Sequence, residues 1–218
     1  MSLQTIIDNA TYLEMDIREV TGSTISRSGH YKTADRNINV YQFKVGMHDG
    51  LTYSTNRAVL QDIYTTGATT EANISINNNT GMNYLTDWQA DWSGGNISNL
   101  ATIGSNGSEI YVTTATVGGV GSYLFKKGDF LQPQGNTGTY RYPYQVTSDV
   151  AFSVSGNITV PVHRPVLSQD GVSLASGSVK IGNDVNWKVK ILNLPKYTVV
   201  PHDRISFTDD FELIEVIT

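Results

Sequence analysis

Cysteine is missing from the chain: 0 of 218 residues. Disulfides, thiolate metal sites and cysteine nucleophiles are excluded in one step. Charge is scarce as well. Charged residues make up 16%, with 15 Lys and Arg against 20 Asp and Glu, for a formal net charge of -5. Nucleic-acid binding requires several phosphates to be neutralised together, so an acidic chain with scattered basic residues is not expected to hold DNA or RNA on its outer surface. Long apolar runs are absent too, since no stretch approaches the roughly 20 residues of a spanning helix. The opening MSLQTIIDNATYLEMD lacks a basic segment followed by an apolar core, so a soluble protein without a signal peptide is expected.

What is present is rich in Ser, Thr, Asn and Gly, and its apolar residues alternate. The stretch from Phe125 to Val166, FKKGDFLQPQGNTGTYRYPYQVTSDVAFSVSGNITVPVHRPV, reads as successive short strands. Phe130 and Leu131 follow the Gly128-Asp129 turn, Tyr144 and Val146 precede a Thr147-Ser148-Asp149 break, and Ile158, Val160 and Val162 keep a period of two. Pro133, Pro143, Pro161 and Pro165 lack a ladder donor and belong at strand ends, edges or bulges, which suits a small, strongly curved barrel.

Elsewhere the same reasoning predicts a strand over Tyr12–Val20, a long polar hairpin loop over Thr21–Asn37, and a second strand from Ile38 to Gly46. The loop holds Arg27, His30, Lys32 and Arg36, the sharpest local charge asymmetry in the chain, and a solvated loop accounts for it. RAVLQDIY, from Arg57 to Tyr64, sets Val59, Leu60 and Ile63 at helical spacing and predicts one short helix, with Thr55 or Asn56 as cap and Gly67 as stop. From Thr69 to Asn106 the composition turns polar, marking a connecting region. Beyond the barrel stretch, Ile181, Val185, Trp187, Val189 and Ile191 alternate, and short strands follow over Tyr197–Val200, Arg204–Phe207 and Phe211–Ile217.

Candidate chemistry is sparse. His30, His48, His163 and His202 stand apart, with none of the spacings that bring zinc ligands together, so each reads as an independent turn or loop histidine. Gly118-Gly119-Val120-Gly121 before Lys126-Lys127 lacks the Ser or Thr and the helix of a phosphate loop, and a hairpin turn explains it. Asp170-Gly171 and Asp209-Asp210 read as ordinary acidic turns rather than calcium loops. No catalytic, cofactor-binding or metal-binding residue is nominated. Trp88 and Trp92, four apart in LTDWQADW, would stack on one face of a helical turn as a platform for a sugar or a partner, beside Asp87 and Asp91. Burial by packing is the commoner fate of such residues. Tyr140 and Tyr142 form a second candidate stacking pair.

FKKGDFLQ, YRYPYQVTSDV, GNITVPVHRPV and the tail PHDRISFTDDFELIEVI together resemble virion tail proteins of bacteriophages, in particular the ring-forming domain of distal tail and baseplate hub proteins, which is related to the tail-tube fold. The resemblance implies a mainly β protein. A tail-tube-like β-sandwich or barrel domain with one short helix would comprise residues 1–68 and 186–218, a polar connecting region 69–106, and an inserted small β-barrel domain 107–185. It further implies a non-enzymatic structural role without cofactors, self-assembly into a hexameric or trimeric ring, and contacts with other tail-tube or baseplate proteins. Neither sequence-specific nucleic-acid binding nor membrane insertion is part of it. The location would be the virion tail, after assembly in the bacterial cytoplasm. Arg27, Lys32, Arg36 and Lys44 would then lie in an inter-subunit or lumen-side hairpin. The alternative reading is a carbohydrate-binding β module for host-surface recognition.

Overall fold

The structure is a computed structural model that describes residues 3–25, 31–47, 51–66, 71–77, 79, 81–91, 100–114, 122–134, 142–153, 158–167 and 177–217, of which 19–38, 100–104, 114 and 177 are described in the backbone only. It is mainly β. Two strands lead, β1 (Tyr12–Ile25) and β2 (Tyr31–Gly46), flanked by helices α1 (Gln4–Asp8) and α2 (Tyr53–Thr66). Then come β3 (Ala72–Ile74), β4 (Leu100–Asn106), β5 (Glu109–Thr114), β6 (Tyr123–Phe125), β7 (Phe130–Pro133), β8 (Tyr144–Gln145), β9 (Val150–Ala151) and β10 (Ile158–Pro161). The remainder is β11 (Gly177–Ile181), β12 (Trp187–Asn193), β13 (Tyr197–Val200), β14 (Arg204–Phe207) and β15 (Phe211–Glu215).

A five-stranded antiparallel sheet has the order β1-β2-β15-β12-β3. Alternation decides its inner face: Trp187, Val189 and Ile191 of β12, Phe211 and Leu213 of β15, and Tyr41, Phe43 and Val45 of β2 are buried. Val59, Leu60 and Ile63 of α2 join the same cluster, as do Ile6 and Ile7 of α1. Where one helix was expected there are two. A five-residue helix has no autonomous stability. The Gln4 amide holds α1 in place by donating to the Ser75 carbonyl at 2.7 Å and accepting the Ser75 N–H at 2.8 Å.

The second sheet has six strands in the order β10-β5-β4-β11-β7-β8 and its own apolar cluster, which includes Ile110, Val112, Leu131, Tyr144, Val160 and Val179. The expected barrel is not formed, because this sheet stays open. Its edges meet at an isolated bridge between Val146 and Val162, where the Thr147 N–H donates to the Pro161 carbonyl and the His163 N–H to the Gln145 carbonyl, both at 3.0 Å. With two residues in β8 and a proline ending β10, the edge strands offer too few ladder groups to close.

Within the region read as a polar connector, 69–106, the described strands belong to both sheets. Its β3 pairs with β12, and Ile74, Ile76 and Met82 lie in the first cluster, whereas β4 pairs with β5 and β11. At β7 the cores abut: Phe130 belongs to the first cluster and Leu131 to the second, as the pleat requires of consecutive strand residues.

Candidate functional site

Two features stand out, a β-ribbon that leaves the first sheet and a buried polar seam between the cores. The polar stretch 21–37 was expected to be loop, yet β1 and β2 continue to pair from Thr21↔Asp35 through Ile25↔Tyr31, with a register irregularity between Glu19 and Thr21. Thr, Ile and Tyr favour the extended backbone, so strand pairing persists through a stretch whose polarity suggested a loop. β15 borders β2 from Val45 to Gln42. Beyond Arg18↔Val40 the ribbon has no other strand beside it among the described residues, and the stretch of β1 from Glu19 to Ile25, about 3.3 Å per residue, makes an arm of roughly 20 Å.

The backbone places Lys32 and Arg36 on this arm. Arg27 falls outside the described residues. Lys44 is not on the arm: it lies opposite Glu14 and Glu212 on the outward sheet face and pairs with Asp210 at 3.4 Å. Twelve residues along β2 separate it from Lys32, about 40 Å of strand, so Lys44 and Lys32 do not share one patch.

The helical turn expected around Trp88 is not formed. Residues 87–91 are not helical, and Trp88 is half-buried against the second cluster with its indole N–H donating to the Leu124 carbonyl at 3.0 Å. Trp92 lies outside the described residues. Side-chain and backbone bonds hold the segment in place as a strap. Thr86 donates to Asn183 Oδ1 at 2.6 Å, the Gln89 N–H to Asp129 at 2.9 Å, and Asp91 accepts the N–H groups of Ser122 and Tyr123 at 3.1 and 2.8 Å. Gly182 lies against it with φ 55, where a Cβ would come within 3.1 Å of the Trp88 nitrogen. Tyr142 is buried and offers no stacking surface, and Tyr140 is outside the described residues. Asp87 accepts from the Asn183 amide at 3.2 Å, and Asp91 is used by backbone donors, which hold its carboxyl below the usual range.

The seam joins residues that no spacing in the sequence brings together. Arg164, in the bend after β10, donates to both carboxylate oxygens of Glu215 on β15 at 2.6 and 2.7 Å, with both side chains essentially inaccessible. The other terminal N–H groups reach the carbonyls of Asn39 at 2.6 Å and Pro143 at 2.9 Å, the buried Nε–H has no partner among the described residues, and Glu215 also accepts the Tyr41 N–H at 3.1 Å. The guanidinium lies between the rings of Tyr41 and Tyr144, 5.4 and 5.2 Å from their centroids. Burial would lower the Arg164 pKa, but the bond and charge of Glu215 outweigh it and raise it. Beside it, His163 Nδ1 accepts the Gln145 N–H at 3.0 Å, so the ring is neutral with its proton on Nε2. Burial, reinforced by the Arg164 charge, pushes its pKa down to about 3. Arg and His each lacked a signal in the sequence because their partners lie on distant strands.

The arrangement fixes the two cores together, and no cluster of three or more metal-ligating side chains is found among the described residues. Asp129, the buried acid near the strap, has its carboxyl pKa raised by burial while it accepts the backbone N–H groups of Lys126 and Gln89 at 2.7 and 2.9 Å. That is a structural duty. Among the described residues no helix is long and apolar enough to cross a membrane. No protein-family model matches the sequence, and no curated protein matches it.

Proposed function

We propose that this chain is a structural subunit of a bacteriophage tail, a ring-forming distal tail or baseplate hub protein that joins the tail tube to the baseplate or fibres. The arm carries the reading. A two-stranded ribbon is marginal in water on its own, and one that extends roughly 20 Å past its sheet gains stability by lying against another surface. A neighbouring copy supplies that surface at no further genetic cost, through a head-to-tail contact that closes into a ring. The outer edge of β1 leaves further backbone groups for a neighbouring strand.

The seam supports the same role, since a subunit that transmits force between neighbours needs its two cores to move together. Such a protein has no catalytic duty and no cofactor. Its partners are its own copies, in a hexamer or a trimer, and other tail proteins; its place is the virion.

Native mass spectrometry and negative-stain imaging of the purified chain test this. Closed rings, or monomers that join purified tails, are the expected result. A monomer at every concentration that leaves tails undecorated would overturn it.

A further inference from the structure

One face of α2 and a residue of β13 enclose a groove of about 280 Å³ lined by Tyr53, Arg57, Gln61, Tyr64, Thr65 and Tyr197. Tyr53, Arg57, Gln61 and Tyr64 are spaced by four, four and three residues and so share one side of the helix, while Val59, Leu60 and Ile63 face the core. Across the groove Tyr197 meets Tyr64 edge-on at 5.1 Å and Tyr53 at 6.4 Å, with Phe207 6.3 Å away on the neighbouring strand. The Tyr64 hydroxyl donates to the Pro195 carbonyl, which fixes that wall.

Neither Arg57 nor Gln61 has a hydrogen bond or an ion pair to any described residue. Half-exposed aromatic rings next to a free guanidinium and a free amide form a defined chemical set. Ring faces take the C–H face of a sugar, the amide offers donors and an acceptor to its hydroxyls, and the guanidinium fork matches a carboxylate. In a chain of net charge -5, an unpaired arginine selects an anion. Ligand pockets run from ~300 Å³ upward, so a groove of this size admits one ring rather than a chain of them.

We propose that the α2–β13 groove binds a single carboxylated sugar ring, a hexuronate presented by an acidic polysaccharide. Tyr197 and Tyr53 together form the wall on which the ring lies, Arg57 pairs with its carboxylate, and Gln61 bonds its hydroxyls. The inference does not depend on ring assembly, and it moves carbohydrate recognition away from Trp88 and Tyr142, which are committed to packing.

Titration of the intact chain with glucuronate, glucose and glutamate, followed by amide chemical shifts, tests it. Glucuronate is expected to shift amides along 53–65 and at Tyr197, glucose to shift them more weakly, and glutamate hardly at all. Arg57→Gln should weaken glucuronate roughly tenfold, the scale of one charge-assisted bond, and erase its advantage over glucose. Gln61→Ala, on an exposed helix face, should weaken both sugars. Tyr197→Phe keeps the ring packing and should retain binding, whereas Tyr197→Ala should lose it; the Phe variant guards against a folding defect. Equal shifts from glutamate and glucuronate would overturn the proposal by reducing the groove to a carboxylate contact. Silence toward both sugars would overturn it as well, and if the same amides then moved with protein concentration the groove would be an interface between copies.

Discussion

Arg164, in the bend after β10, grips Glu215 of β15 through both carboxylate oxygens, with neither side chain open to solvent. Removing one partner leaves the other charged and buried, so Glu215→Ala is expected to cost about 3–5 kcal/mol in urea unfolding. Replacing both, Arg164→Met with Glu215→Leu, should restore most of that loss, because the penalty lies in the orphaned charge. Single-variant losses below roughly 1 kcal/mol would mean that the seam is held by apolar packing instead.

Acid should loosen the same seam through His163. Its pKa is about 3 in the fold and near 6.5 in an unfolded chain. Between those values the unfolded state binds the extra proton, so stability rises with pH and is lost as pH falls below about 6.5. By pH 4 the loss amounts to roughly 3 kcal/mol. The groups around the ring are Arg164, Tyr41 and Tyr144; burial raises both phenols, so neither titrates in this window. Urea midpoints measured from pH 7 to pH 4 check the slope, and His163→Asn should flatten it.

Asp203 caps α2 from far along the chain. Its carboxylate accepts the Ser54 N–H at 2.9 Å and the Ser54 hydroxyl, and its backbone carbonyl accepts the Tyr53 N–H at 2.8 Å. The residue also holds φ 61, a left-handed conformation. Asp203→Asn should keep most of the cap and the turn, since Asn tolerates both. Asp203→Gly should keep the turn and lose the cap, seen as faster amide exchange in the first turn of α2. Unchanged exchange in the Gly variant would rule out the capping role.

Gly182→Ala joins two costs, a side chain at φ 55 and a Cβ within 3.1 Å of the Trp88 backbone and 3.2 Å of the Thr86 carbonyl. A loss of about 1–3 kcal/mol is expected, with the Trp88 fluorescence altered as the strap shifts. Full stability would mean that the strap yields freely.

Deleting the arm separates folding from assembly. Residues 22–34 replaced by Asn-Gly leave Thr21 and Asp35 joined by a two-residue turn in register. The shortened chain should keep its circular dichroism and unfolding midpoint yet form no rings. Rings of normal size from this variant would show that assembly uses another surface.

Local alternation was legible wherever burial is decided by neighbours in sequence. Trp187, Val189 and Ile191 or Ile158, Val160 and Val162 announced their strands, and Val59, Leu60 and Ile63 their helix. What escaped depends on partners far away. The Asp203 cap, the Gln4 tether of α1 and the Arg164–Glu215 pair each join residues at least 51 positions apart. The four-residue spacing of Trp88 and Trp92 suggested a helical turn, but backbone N–H groups at Gln89, Ser122 and Tyr123 are spent on Asp129 and Asp91. The groove residues Tyr53, Arg57, Gln61 and Tyr64 did carry a helical spacing; Tyr197, on β13, completed them only in three dimensions.

β15 lies between β2 and β12, although it comes later in the chain than every other described strand. During synthesis, therefore, the two halves of that sheet wait unjoined while the rest emerges, and Arg164 waits without its carboxylate. A chain interrupted before Glu215 carries a split sheet and a stranded cation together. Delivery of β15 thus acts as a checkpoint, since the first sheet lacks the element that locks it until translation has produced that strand.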